Sequence, residues 1–153
     1  MKLNFKKAIS NFVYAYVLIT ILAYSSSFAA AIIFKLPSYK DLGVSQFQDP
    51  AFVMTVPYHL LINLFCWTFF SFLYLKEMKK EDNINLFKEA SYLSLIWLII
   101  ALIVDLISFV IIKSPISFTP YQFYVGYQPW ISITYFIVLI SPVISYCFLR
   151  LKR

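Results

Sequence analysis

Residues 98–112 read LIIALIVDLISFVII, and Asp105 is the one charge among them. With the apolar residues before it, this run extends over 86–112, beyond the roughly 20 residues a helix needs to cross the hydrocarbon of a bilayer. Three more stretches reach the same length: 8–34, 51–75 and 130–149. The composition agrees, since 61% of the 153 residues are apolar, 20% aromatic and only 13% charged. A soluble domain of this size could not bury so much hydrophobic surface. The expected fold is all-α: a polytopic integral membrane protein built as a four-transmembrane-helix bundle, one membrane domain over 1–153, with the lipid bilayer as its first partner. Both glycines, Gly43 and Gly126, fall in connecting segments, so close helix approach must rely on Ala and Ser.

Charge placement predicts the orientation. Lys2, Lys6, Lys7, Lys76, Lys79, Lys80, Lys88, Arg150, Lys152 and Arg153 lie on one side of a four-span arrangement, and Lys35, Lys40 and Lys113 on the other. By the positive-inside rule both termini and the loop between spans two and three are expected in the cytoplasm, and the protein in the cell membrane. The net charge of +6 then reflects topology and attraction to anionic headgroups. Nucleic-acid binding is not expected, because the aromatics that would stack on bases lie in lipid or at its edge. Lys6 and Lys7, an apolar run and SSSFAAA share the layout of a signal peptide. The run continues to Lys35, however, which is too long for that role, so a retained helix is expected.

Asp49-Pro50 and Gln128-Pro129 mark the starts of the second and fourth spans, with proline where its missing N–H is harmless. Asp82, Asn83 or Asn85 can cap the third, and the mixed-charge loop before it reads as a solvated turn. In SPISFTPYQFYVGYQPW, 114–130, the aromatic residues Phe118, Tyr121, Phe123, Tyr124, Tyr127 and Trp130 are expected along the outer interface at headgroup depth, as anchors or as a partner-binding surface. Cys66 and Cys147 lie inside spans without a CxxC partner and read as buried small hydrophobes. Lys35-x-Pro37 and Lys113-x-Pro115 hint at a duplication into two like-oriented hairpins, aligning Ser27 with Asp105 and Thr55 with Thr134.

Polar residues recur at helical spacing. Thr55, His59, Asn63 and Cys66 share one arc of the second span; Ser91, Ser94, Ala101, Asp105 and Ser108 share one on the third. Tyr16, Thr20, Ala23, Ser27 and Ala31 do so on the first, and Thr134, Ser141 and Ser145 on the fourth. Polar groups in lipid need partners in protein or water, so the four seams should turn inward. Counted from Lys113, Pro50 and Lys35, the residues Asp105, His59 and Ser27 fall at one level, about 12 to 14 Å from the outer boundary. This predicts a polar pocket in the outer half, centred on an Asp105–His59 pair with Ser27, Ser108 and Thr134 adding bonds, and with Asn63 and Thr55 bonding between helices. Pro57 and Pro142 mark kinks. An aspartate at a helix centre costs about 2.5 to 3.5 kcal/mol on insertion scales, which the apolar neighbours offset. It is therefore tolerated by insertion rather than required.

No motif specifies a reaction, and no metal-ligand cluster or cofactor-binding loop is present in the sequence, so no cofactor is expected. The leading expectation is a non-enzymatic small transporter or transport-complex subunit. Four helices enclose little volume, so transport would call for a homo-oligomer or a larger membrane complex. The main alternative is an immunity, assembly or regulatory protein acting through contacts with a partner. An intramembrane enzyme using His59 and Asp105 comes third.

Overall fold

In a computed structural model, which describes residues 4–44, 46–80, 84–112 and 118–151, helix is the only regular secondary structure. The Asn4 side chain accepts from Lys7 N–H and starts α1, Phe5–Ile33. A short α2, Tyr39–Leu42, is closed by a capping box between Ser38 and Asp41 and ended by Gly43 in the left-handed region, φ 66°. Asp49 caps α3, Pro50–Met78, by accepting from Ala51 and Phe52, with Pro50 at the first turn as expected. Its other oxygen accepts from Tyr39 N–H at 2.9 Å and so ties α2 to α3. Asn85 caps α4, Leu86–Asp105, while Asp82 and Asn83 lie outside the described residues. The α4 helix continues as a π-helix over Leu106–Ile111. Then come α5, Pro120–Tyr124, and α6, Trp130–Leu151. Pro57 and Pro142 lie inside α3 and α6.

Four of these helices, α1, α3, α4 with its π continuation, and α6, are long and apolar enough to cross a membrane, each within a few residues of its expected span. The chain is a multi-pass membrane protein. The spans form a ring in the order α1, α3, α6, α4, with α1 and α4 meeting only sparsely where the ring closes.

Among the described residues Lys6, Lys7, Lys76, Lys79, Lys80, Lys88 and Arg150 lie at one end of the bundle, here called the basic end; the other is the aromatic end. In the basic half Ala8 and Ala15, fully buried, let α1 come close. The Trp97 indole N–H donates to Ala8 O at 3.0 Å, and the rings of Phe12, Trp67 and Trp97 pack within 5.1 to 6.3 Å of one another. Between α3 and α6 three fully buried serines form a ladder. Ser71 and Ser145 share a hydrogen bond at 2.6 Å, and Ser145 donates to Thr68 O at 2.7 Å. Side chains this small are what allow two backbones to approach in lipid.

The two hairpins end at different levels. From the serine ladder α3 runs from Ser71 out to Pro50, whereas α6 runs only from Ser145 to Trp130, so α3 overshoots α6 by about six residues or 9 Å. The step is filled by 118–129. Phe123 is buried between Val110 and Ile131, and Phe47 is sandwiched by Phe118 at 4.2 Å and Tyr127 at 4.3 Å. Gly126 has no room for a side chain, since a Cβ there would stand 2.8 Å from Gln122 O. Of the six expected interfacial aromatics Phe123 is buried, Phe118, Tyr124, Tyr127 and Trp130 are half-buried, and Tyr121 alone is exposed, so the segment packs on the bundle. Cys66 is buried as expected, but Cys147 faces outward.

Candidate functional site

Asp105 is the last residue of α4 before its hydrogen-bond pattern changes to π. It is 8% exposed. One carboxylate oxygen accepts from the Tyr16 phenol of α1 at 2.7 Å, and the other accepts from the Tyr135 phenol of α6 at 2.9 Å. Three spans thus meet at one acid, each oxygen taking one hydrogen bond. Over it lies the step-filling segment. Burial, and after it the neighbouring Asp105 carboxylate, push the Tyr124 phenol up from its ordinary value. Burial alone pushes that of Tyr127 up to about 12.

His59 belongs to a second knot. Its Nε2 lies 3.1 Å from the hydroxyls of both Ser26 and Ser27 on α1. Ser27 also bonds the Thr55 hydroxyl at 2.8 Å, and Phe52 covers the imidazole with ring centres 5.4 Å apart. Asp105 and His59 do not bond one another, which corrects the expected pair. On α1 their partners Tyr16 and Ser26–Ser27 are ten to eleven residues apart, about 15 Å along the helix axis. The common depth fails because Pro50, Lys35 and the end of α4 do not share a level: α1 continues far beyond Tyr16, whereas α4 ends soon after Asp105. The expected outer pocket is therefore two separate hydrogen-bonded knots, the His59 knot nearer the aromatic end and the Asp105 knot nearer the middle of α1.

The remaining expected residues divide the same way. Ser27 and Thr55 join α1 to α3. Asn63 instead bonds along its own helix, donating to His59 O at 2.8 Å and accepting from Trp67 at 3.2 Å. Ser108 and Thr134, both half-buried, stand beside Asp105 and Tyr135 in sequence but supply no hydrogen bond to the carboxylate. Among the described residues no carboxylate orients the His59 ring, so the histidine and its serines lack the third member of a nucleophile–base–acid arrangement.

Two features were missed in the sequence. The phenols of Tyr16 and Tyr135 hold the acid, although Tyr16 already stood in the polar seam of its span. A second carboxylate, Glu89, is buried at the basic end, 3% exposed, and accepts from Tyr74 at 2.7 Å. A glutamate in the first turn of a helix suits the local dipole and so resembles an ordinary solvated helix start. The signal lay on α3, in a tyrosine able to reach it. Set beside known protein families, curated proteins and solved structures, the chain matches none of them.

Proposed function

We propose that this chain is a non-enzymatic component of a membrane transport system, in which Asp105 responds to a proton or a cation. It sits in the cell membrane with both termini in the cytoplasm, as ten basic residues on one side against three on the other would place it. One observation carries the reading: a carboxylate buried among spans, held by phenols from two other helices, at the start of a six-residue π-helix. An acid in lipid is costly, and the tryptophan core and serine ladder supply further contacts between the spans. π-Helical turns are rare and concentrate at functional sites. A carboxylate held by two hydroxyls can take up a proton, or exchange a phenol for a cation, within an unchanged backbone. The four spans close around their polar groups, so a passage would form between copies or with another chain.

The test is to purify the protein in mild detergent, determine the mass of its assembly, and reconstitute that assembly into vesicles under imposed proton and alkali-cation gradients. An assembly larger than one chain should pass a flux that Asp105→Asn abolishes, while His59→Gln retains it. Equal flux through native protein and Asp105→Asn would remove Asp105 from the mechanism.

A second reading, partner binding without transport, draws on α1. Only Ala8, Phe12, Ala15, Ile19 and Ala30 of its 29 residues are buried. Most of its surface, with Ser25 and Ala29 included, faces outward. Cysteine cross-linking from position 25 to a second protein, with no flux in the vesicle assay, would select this reading.

A further inference from the structure

At the basic end, where α3 and α6 finish and α4 begins, the structure forms an open cavity of about 200 Å³. Its lining includes Lys79, Asn85, Phe87, Tyr146, Leu149 and Arg150. A second hollow of about 550 Å³ adjoins it across Lys79 and Leu149 and brings in Lys76 and Lys80. Among the described residues the one ion pair is Lys7–Glu77, and none of these four cations has a carboxylate partner among them. Lys79 donates to the Leu149 carbonyl at 3.4 Å. The first turn of α4 adds the positive end of its dipole on the same side.

Part of the rest of the lining is apolar. Phe87, 52% exposed, meets the Tyr146 ring at 5.5 Å, and Leu149 forms the wall between the two hollows. A free phosphate would use the cations and leave this hydrocarbon surface idle. We infer that this cavity holds the headgroup of an anionic glycerophospholipid, its phosphate between Lys79 and Arg150 and its acyl chains lying along Phe87. Arg150 brings a planar fork suited to two phosphate oxygens and Lys79 a compact point charge. Basic pockets between spans at the membrane surface are known to take such headgroups. The site is independent of Asp105 and of the transport reading.

Native mass spectrometry of the detergent-solubilised protein, titrated with dioleoyl phosphatidylglycerol and with the matching phosphatidylcholine, tests it. Phosphatidylglycerol should bind first and more tightly. Exchanging both cations, Lys79→Gln with Arg150→Gln, should reduce that preference by about tenfold, while Lys40→Gln at the aromatic end leaves it unchanged. Excess inorganic phosphate should not displace the lipid; displacement would show a free-anion site and overturn the assignment. Photoactivatable phosphatidylglycerol on the unaltered protein keeps the test valid if the double variant misfolds. Labels on 84–87 and 146–151 support the site, whereas labels elsewhere, or equal binding of the two lipids, overturn it.

Discussion

The Tyr16 phenol donates to Asp105 at 2.7 Å and so joins α1 to α4 across the most open side of the helix ring. Elsewhere that side is held mainly by Trp97 reaching Ala8. Loss of this bond should therefore loosen α1 in particular, leaving the serine ladder between α3 and α6 in place.

Tyr16→Phe is expected to destabilise the bundle by about 0.6 to 1.7 kcal/mol, the span found for hydrogen bonds between helices in lipid. Tyr135→Phe should act similarly. Reversible unfolding in bicelles gives both values, and a double-mutant cycle of Tyr16→Phe with Asp105→Asn isolates the bond. Strict additivity in that cycle would mean that phenol and acid do not interact in the membrane.

The separation of the two knots predicts the opposite for Asp105 and His59. Asp105→Asn and His59→Gln should add to within about 0.5 kcal/mol, as changes at distant sites without shared partners do. The ¹⁵N resonances of the His59 ring should be the same in native protein and in Asp105→Asn. A shifted ring resonance would restore the direct pair.

Between α3 and α6 the close approach depends on Ser71, Ser141 and Ser145, each with no exposed surface. Ser145→Leu should cost about 1 to 3 kcal/mol by overpacking, whereas Ser145→Ala should cost under about 1 kcal/mol. The same unfolding assay separates them. A leucine tolerated as well as alanine would show that the helices stand further apart.

The Ser38–Asp41 capping box gives a pH signature. The Ser38 hydroxyl and backbone N–H both donate to Asp41, at 2.8 and 3.2 Å, and these bonds hold its carboxyl below the ordinary value of 3.8. Because the folded value is depressed, the contribution of the box is present above pH 3.8 and fades as the pH falls through the lower folded value. Carboxyl ¹³C shifts in nanodiscs should show Asp41 titrating below 3.8, with Ser38→Ala moving its midpoint upward. An unmoved midpoint in that variant would remove Ser38 as the cause.

The spans were legible because length and hydrophobicity are properties of each segment alone, and so were the caps at Asp49 and Asn85. The inward turn of Asp105, His59, Ser27 and Thr55 also followed from periodicity. What periodicity lacks is axial register between helices. Counting depth from Lys35, Lys113 and Pro50 assumes one boundary, although α1 and α3 extend beyond α4 and α6, and that assumption sets His59 beside Asp105. Chemistry misled at the tyrosines, which interfaces favour in general but which here place their hydroxyls on buried acids at Asp105 and Glu89. Nothing in 114–130 itself reveals the step that Phe118, Phe123 and Tyr127 fill.

The unequal hairpins bear on the surrounding membrane. At 1.5 Å per residue α1 measures about 43 Å and α6 about 33 Å, so annular lipids meet a taller apolar wall on one flank than on the other. A bilayer responds to such hydrophobic mismatch by stretching or thinning locally, at a modest cost for each ångström. Around this protein the thickness should change from one flank to the other, which would draw neighbours with short spans toward the α4–α6 side.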